Sequence, residues 1–512
     1  MYLYTKVLRN QYHDSVALML AAKALKQREQ VTDAAFMMGT EINKDLLRQG
    51  KLLDENAEAA RANDLVIAVK CQWESPDILT LAENLLSTHT PTQPSSPEET
   101  ETLRGVLRSH PQANMVLISI GGTYASREGR EALANGANVF LFSDNVTLAD
   151  EVALKKLALD RGLLLMGPGA GTAIINGIGL GFANQVPPGD IGIVSAAGTG
   201  LQEVSTLLAK QGLGISQAIG TGGRDLNKAV GGLMFFASID ALQADPNTRM
   251  IILISKPPDA DLVEQLIAKV KGSEKPVILC LLGAEKPDGS DPNLHFTRTL
   301  EECALVAKNV YTSSEQDITE NLAEADRKLL EKYHGLKDKF APGQKYIRGL
   351  YSGGTLCFEA QVIWREVLSE PVLSNAPLTK DRLLEDSSSC RGHCALDLGE
   401  EEFTLGRPHP MIDNELRIER MAKEAQDPQT AIILFDTVLG YGAHPDPAEE
   451  IGSAIQKIGA NHPNIVWISS ITGAEDDPQS LSKTKQELED AGVIVCDSNA
   501  QAARLAANLL QE

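Results

Sequence analysis

The chain has 512 residues, 43% of them hydrophobic and 23% charged, with a formal net charge of −22. This is the composition of a soluble globular protein with room for about three or four domains. The acidity and the lack of any basic block argue against a nucleic-acid surface, and no apolar run approaches the ~20 residues of a membrane span.

Residues 1–88 alternate strand-like and helix-like pieces and read as a small N-terminal α/β domain, with strands at 2–8, 31–38 and 65–69. Helices are predicted at 15–25, 41–50 and 76–86. Pro and Ser then crowd residues 87–99, which read as a linker. The N-terminus carries no secretory core. The seven scattered cysteines suit a reducing compartment, so a cytoplasmic location is expected.

Over 112–188 the pattern is strand (115–120), helix (126–135), strand (139–142), helix (148–160), strand (163–166). Such alternation predicts a parallel sheet with right-handed crossovers. Ligands of such sheets bind beyond the carboxyl ends of the strands. Ser143 and Asp144 occupy one such end, and Gly167-Pro-Gly-Ala-Gly-Thr172 another. No G-x-G-x-x-G dinucleotide fingerprint opens the unit.

Residues 189–312 form the next unit. A buried strand at 191–194 runs into a turn of small residues, Ser195, Gly198, Thr199 and Gly200, and then a helix. Uncovered N–H groups at such a helix start, with the positive end of the helix dipole, make an anion site. Glu203 follows Thr199 by four residues and shares its helix face. Further on, Gly220-Thr-Gly-Gly-Arg-Asp225 offers Arg224 to an anionic ligand on the same sheet edge. Residues 313–344 are charged and helical and read as a connector.

Residues 345–512 repeat the unit. Gly349-Leu-Tyr-Ser-Gly-Gly-Thr-Leu-Cys-Phe-Glu359 restates the turn with one residue fewer: Ser352, Gly353, Gly354, Thr355, then Glu359. Each copy is followed by an Asp-Pro and an apolar strand, at Asp245-Pro246 and Asp427-Pro428. A duplicated domain is implied; that its two helix N-termini face one another across a shared anion is an expectation the repeat alone does not fix. A long insertion, 373–417, interrupts the second copy. It carries Cys390-Arg-Gly-His-Cys394, whose residue types suit a metal, but no second C-x-x-C completes a site; reduced thiols are expected, and no metal. Arg407 and His409 follow, with prolines on both sides of His409. Both are expected to point toward the paired turns, Arg407 binding a carboxylate or phosphate through its planar fork. The loop 440–446 either joins the site through His444 or presents it as a plain surface residue.

Residues 163–203, with Gly167-Pro168 and Gly192-Ile-Val-Ser-Ala-Ala-Gly-Thr-Gly-Leu-Gln-Glu203, resemble the α subunit of succinyl-CoA synthetase. With Phe142-Ser-Asp-Asn-Val146, Ser255-Lys-Pro-Pro258, Gly353-Gly-Thr355 and Gly406-Arg-Pro-His-Pro-Met-Ile-Asp413 added, nearly the whole chain resembles the FdrA-like acyl-CoA synthetase family. The resemblance implies a Rossmann-like CoA-binding domain (112–188) and two flavodoxin-like ligase domains (189–312 and 345–512). It also implies a link to oxamate carbamoyl transfer in allantoin breakdown.

The chain departs from succinyl-CoA synthetases at the phosphohistidine loop. Gly283-Ala-Glu-Lys-Pro-Asp-Gly-Ser-Asp-Pro-Asn-Leu-His295 stands there without the Gly-His-Ala-Gly-Ala motif. Gly169-Ala170 replaces the Asp-Cys common in FdrA-like proteins, and no ATP-grasp domain, Walker sequence or phosphate loop opens any unit.

Two enzymatic readings stand. One is a carbamoyltransferase component that holds a small acyl phosphate between the helix N-termini. The other is a subunit of an acid–CoA ligase. A non-catalytic metabolite-binding scaffold is the reading from another class. In the first, Ser143, Asp144, Ser195, Gly198, Thr199, Gly200, Arg224 and residues 352–355 bind the phosphate, while Glu203, Glu359, Arg407 and His409 serve catalysis. No motif fixes a cofactor; CoA is the candidate that the resemblance brings. Partner subunits and an oligomer are expected, because no residue stands out as general base for the acceptor.

Overall fold

The computed structural model describes the chain except residues 12, 14, 90–101, 285–290, 315, 405–406 and 512. The predicted linker therefore lies mostly outside the described residues. Residues 1–101, with 404–408, form one compact unit; residues 102–403 and 409–512 form the other.

In the first unit, β1 (Tyr2–Leu8), β2 (Val31–Met38) and β3 (Leu65–Cys71) make an antiparallel sheet in the order β1-β3-β2. β3 is central and almost wholly buried, because its Val-Ile-Ala-Val run is apolar on both faces. Helices Ser15–Lys26 and Ile78–His89 pack Leu18, Leu25 and Ile78 on one face. Helix Glu41–Gln49 packs Leu47 on the other.

The second unit begins with a parallel sheet of β4 (Met115–Ile118), β5 (Asn138–Leu141) and β6 (Leu165–Met166). The hairpin β7 (Thr172–Ile175) and β8 (Ile178–Gly181) does not stay with it. It joins a seven-stranded sheet through β10 (Ile215–Gly220), beside β9 (Pro188–Ser195), β11 (Met250–Ser255), β12 (Val277–Leu281) and β13 (Leu294–Thr297), in the order β13-β12-β11-β9-β10-β7-β8. The sheet therefore begins before residue 189, and the loop 167–171 bridges two sheets.

The repeat unit has a six-stranded parallel sheet. Its strands are β14 (Tyr346–Tyr351), β15 (Val372–Ser374), β16 (His393–Asp397), β17 (Thr430–Val438), β18 (Val466–Thr472) and β19 (Ile494–Cys496), in the order β15-β16-β14-β17-β18-β19. The predicted insertion 373–417 contributes a strand to this sheet: β16 pairs with both β14 and β15. Every residue of β17 is buried, as a strand covered on both faces requires.

The two repeats join along helices Gly198–Lys210, Leu300–Thr312, Gly354–Val367 and Asn499–Asn508. Leu201, Ala304, Leu356 and Ala503 from these helices lie in one hydrophobic core. Each fully buried leucine there contributes about 1.5–3 kcal/mol. The result is an α/β architecture of several parallel sheets of Rossmann-like and flavodoxin-like kind, preceded in the chain by a small N-terminal α/β domain.

Candidate functional site

β9 ends at Ser195, and helix Gly198–Lys210 starts within a few residues. The Ser195 hydroxyl donates to the Ala197 carbonyl at 2.7 Å and accepts the Ala197 N–H at 3.0 Å. It closes the turn instead of facing a ligand. β14 ends at Tyr351, and Ser352 and Gly353 lead into helix Gly354–Val367.

The two helix starts touch: the Thr355 N–H donates to Thr199 Oγ1 at 3.3 Å. A side chain on Gly353 would come within 2.8 Å of Thr199 Cγ2, and one on Gly200 within 3.0 Å of Thr355 Cγ2. Glycine at both positions is what lets the turns meet.

The two turns are held differently: just before the first helix the N–H groups of Ala196 and Ala197 donate to Ile254 O and Ser195 Oγ, both at 3.0 Å. The N–H groups of Gly198, Thr199 and Gly200 have no acceptor among the described residues. Those of Ser352 and Gly353 donate to Asp436 at 2.7 and 2.8 Å, and the Ser352 hydroxyl donates to the same carboxylate at 2.9 Å. A carboxylate of the chain itself thus fills the second turn, which corrects the expectation that Ser352 and Gly353 bind phosphate. Buried Arg417 holds Asp436 through Nη1 at 3.2 Å and donates to Pro410 O and Asn414 Oδ1.

Gly354 has Asp397 against it, for a side chain there would fall on the Asp397 carboxylate, with Lys256 Nζ 3.5 Å away. Asp397 is the last residue of β16, and Lys256 follows β11, so both stand at strand carboxyl ends. Asn375 clamps the Asp397 backbone with two bonds of 2.9 Å. Asp397 Oδ1 accepts the Gly399 N–H at 3.0 Å, and Oδ2 accepts nothing from the described residues. Burial pushes this carboxyl up to about 7; the Lys256 charge opposes the shift, and Glu400 and Asp436 add to it.

His409 also reaches the second turn. Its Nδ1 accepts the Met411 N–H at 3.2 Å, which leaves the proton of the neutral ring on Nε2. A side chain on Gly399 would meet that Nε2 at 2.7 Å and Ser352 O at 2.9 Å. Burial, with the Arg417 charge, pushes His409 down to about 4, so it is a neutral N–H donor near pH ~7. Arg407 is exposed and belongs to the compact unit of residues 1–101.

Ser143 is structural: its hydroxyl accepts the Ile120 N–H at 2.9 Å and donates to Ile118 O at 3.3 Å. Asp144 packs against Gly169, and Gly171 lies 3.7 Å from the side-chain position of Gly198, so the loop 167–171 connects Asp144 to the open turn. Crowding by protein raises the Asp144 carboxyl, Arg224 counters this, and Glu401 and Glu400 reinforce it. Arg224 spends Nη2 on Val146 O and on buried Glu151, both at 2.8 Å. Glu151 in turn binds Lys155, which binds Asp225, each at 2.8 Å. Arg224 fastens two sheets together before it can serve a ligand.

Glu203 and Glu359 take a fastening position in place of the expected catalytic one. Glu203 accepts the Asn499 N–H at 3.1 Å and the Thr472 hydroxyl. Glu359 accepts the Leu300 N–H at 2.6 Å and Asn499 Nδ2 at 2.7 Å. Asn499 and Leu300 begin the last helix of each repeat. Each glutamate therefore caps a helix of the other repeat. Burial raises both carboxyls, Glu359 to about 7.

Elsewhere, His295 lies on β13 and is pushed down by burial; residues 285–290 of that region lie outside the described residues. His444 accepts the Asp446 N–H at 3.1 Å and pairs with Glu450 at 3.2 Å. His393 and Cys394 are neighbours on β16 and so face opposite ways. His393 Nδ1 accepts the Ile347 N–H at 3.2 Å. That separates the imidazole from the thiols of a notional metal set.

The residues brought together are thus Thr199, Gly200, Gly353, Gly354, Thr355 and His409, joined by Lys256, Asp397, Asp436 and Arg417. The last four were not singled out from sequence. Their signal was position: Lys256 and Asp397 close parallel strands, where ligands of such sheets bind.

A CoA-ligase family model matches residues 350–509, and a model of the AllF heavy metal-associated domain matches residues 1–102. YahF of Escherichia coli (strain K12), an uncharacterized protein, is 40% identical over 507 residues, or 97% of this chain and 96% of YahF. The alpha subunit of succinate–CoA ligase (ADP-forming) from Methanothermobacter thermautotrophicus is 28% identical over 179 residues, 34% of this chain and 59% of that subunit. The apo dinucleotide-forming acetyl-coenzyme A synthetase 1 of Ca. Korarchaeum cryptofilum covers 81% of this chain and 87% of its own at 14% identity. Its TM-score of 0.34 is too low to bear on the site. A heavy-metal centre needs clustered thiolate or imidazole ligands. In residues 1–102 the sole cysteine, Cys71, is buried in the core, and no group of three or more His, Cys, Asp or Glu among the described residues is placed to hold a metal ion. The described side chains of this domain do not fit such a centre.

Proposed function

Because this chain belongs to the FdrA-like acyl-CoA synthetase family, in the succinyl-CoA synthetase superfamily, we propose that its open turn binds the phosphate of a small acyl phosphate and that it works as a carbamoyl-transferring component. One observation carries this reading. At the start of helix Gly198–Lys210 the N–H groups of Gly198, Thr199 and Gly200 all lack an acceptor among the described residues, whereas the matched helix spends its Thr355 N–H on Thr199, and Asp397 stands across the junction with one oxygen open.

The N–H groups of Gly198, Thr199 and Gly200 hold the phosphate in fixed geometry. Lys256 adds positive charge near the transferring group. The acceptor nitrogen, an amide such as that of oxamate, attacks the carbonyl carbon. Its proton passes to Asp397, whose value near 7 suits a general base at neutral pH. The carbon–oxygen bond to phosphate breaks, and inorganic phosphate leaves with the bonding electrons. His409 Nε2–H donates near the second turn and orients the substrate without changing charge.

The test is phosphate release from carbamoyl phosphate with oxamate, with and without CoA, for the wild type and for Asp397→Asn. Transfer that is independent of CoA and lost in the variant supports the reading. Unchanged transfer in Asp397→Asn removes Asp397 from it.

The second reading, an acid–CoA ligase subunit, is supported by the likeness to the succinate–CoA ligase alpha subunit and by the CoA-ligase model. CoA is then a substrate at the strand ends of the 112–188 portion. Formation of an acyl-CoA from free acid, CoA and nucleotide, with a partner chain present, would establish it. Under either reading we place the protein in the cytoplasm, working with partner subunits in an oligomer. No described helix is long and apolar enough to cross a membrane.

A further inference from the structure

Of the seven cysteines, Cys71, Cys280, Cys303, Cys357, Cys394 and Cys496 are buried, and Cys390 alone is partly open to solvent. Cys390 Sγ lies 2.6 Å from Cys394 Sγ. Gly392 between them, at φ +66°, turns the chain back so that two sulfurs four residues apart meet. Arg420 Nη2 donates to Cys390 Sγ at 3.2 Å. That guanidinium is held by Glu424 at 2.7 Å and by the Ser387 carbonyl at 2.6 Å. Arg348 binds the Gly392 carbonyl and Glu424.

We propose that Cys390 and Cys394 form a thiol–disulfide exchange site that accepts small-molecule disulfides. The site has an accessible sulfur, a cation fixed against it and a second sulfur in contact behind it. The roles divide by access. Cys390 meets the incoming disulfide; Cys394, whose thiol burial holds protonated, cannot be reached from solvent and acts second.

With glutathione disulfide the steps balance. The Cys390 sulfur attacks one sulfur of the disulfide as its proton leaves to solvent, the old S–S bond breaks, and one glutathione departs as thiolate and takes up a proton from solvent. The Cys394 sulfur then attacks the Cys390 sulfur of the mixed disulfide. Its proton goes to the departing second glutathione. The protein has lost two electrons and gains a Cys390–Cys394 bond, and the small disulfide has been reduced to two thiols. Arg420 faces the negative charge that passes through Cys390 in both steps.

The site is independent of the carbamoyl reading but touches the same strand. Cys394 and Asp397 both lie on β16. The exchange therefore fixes the amino end of the strand whose carboxyl end carries the open carboxyl.

The experiment uses the full folded chain and glutathione disulfide, read by thiol titration and by peptide mass mapping without reduction. Arg391 lies between the two cysteines, so trypsin puts them on separate peptides. The wild type is expected to lose two thiols, retain no glutathione and yield the peptide of Cys390 joined to that of Cys394. Cys394→Ser is expected to keep one glutathione on Cys390, and Cys390→Ser to keep its remaining thiols unreacted. If the wild type keeps all its thiols, holds glutathione stably on Cys390, or links any other pair such as Cys280 and Cys303, the proposal is overturned. The wild-type readings decide this even should a variant fail to fold.

Discussion

The hydroxyl oxygen of Thr199 accepts the backbone N–H of Thr355 at 3.3 Å, across a seam between two copies of the same strand–turn–helix corner. The bond joins the start of one helix to the start of the other and consumes the donor that Thr355 would otherwise offer to a ligand. Thr199→Val removes the acceptor and leaves a buried N–H unpaired, at a cost of about 1–3 kcal/mol. Urea denaturation should show that loss for Thr199→Val and little of it for Thr199→Ser. Equal midpoints for valine and wild type would mean that the contact adds nothing.

Asp397 sets the second expectation. Its carboxyl is pushed up to about 7, so the ionised, proton-accepting form dominates only above that value. Turnover limited by proton abstraction should fall about tenfold per pH unit below ~7 and level off above it. Asp397→Asn should lower the rate by about 10²–10⁴ while phosphate still protects the protein against heat. A flat pH profile in the wild type would assign the proton to another group.

Glu359 gives a pH dependence of stability. Its ordinary value is 4.5 and its folded value about 7, raised by burial. The folded state holds the proton to higher pH than the unfolded state. The stability it contributes is thus complete below 4.5 and is lost as the pH rises toward about 7. The loss is on the order of 3 kcal/mol. Glu359→Gln, which cannot ionise, should gain on the wild type between pH ~5 and ~8. His409 has the opposite sign: lowered from 6.5 to about 4, its share is present above 6.5 and lost as the pH falls to about 4. Parallel stability curves for Glu359→Gln and the wild type would show that this carboxyl is not what titrates.

Asp436 occupies the second turn as an anion would. Asp436→Gly should destabilise by about 3–5 kcal/mol, since it strands buried Arg417. It also vacates the N–H groups of Ser352 and Gly353. Added phosphate should then recover stability in the variant well beyond its effect on the wild type. No such recovery would mean that the vacated turn does not accept an anion.

Much of the frame was legible because local periodicity decided it. Strands 2–8 and 31–38 and the helix at 148–160 coincide with the observed elements. The two turns were legible because their small residues recur in the same order after an apolar strand. What escaped was non-local. Nothing near Ser352 says that Asp436, 84 residues on, will fill its turn. The hairpin Thr172–Gly181 sits close in sequence to β6 but pairs with β10, and only tertiary packing decides between them. Short β16, inside a stretch rich in Gly, Asp and Glu, lacks a strand signature yet supplies Asp397. Glu203 and Glu359 shared a helix face with their threonines as expected, but helical spacing cannot tell that the face meets another helix instead of a ligand.

The exchanged helix caps bear on how the chain matures. Glu203 receives its backbone donor from Asn499, 296 residues later. During synthesis the first repeat emerges with that carboxylate destined for a dry interface and nothing yet to meet it, so it stays wet and the seam stays open. Thr472 and then the helix that begins at Asn499 close it, and the same helix engages Glu359 through the Asn499 side chain. The two repeats should therefore melt together as one cooperative body. Cut within 313–344 and produced as separate polypeptides, neither should hold its shape alone, whereas the two mixed should find each other as obligate subunits do.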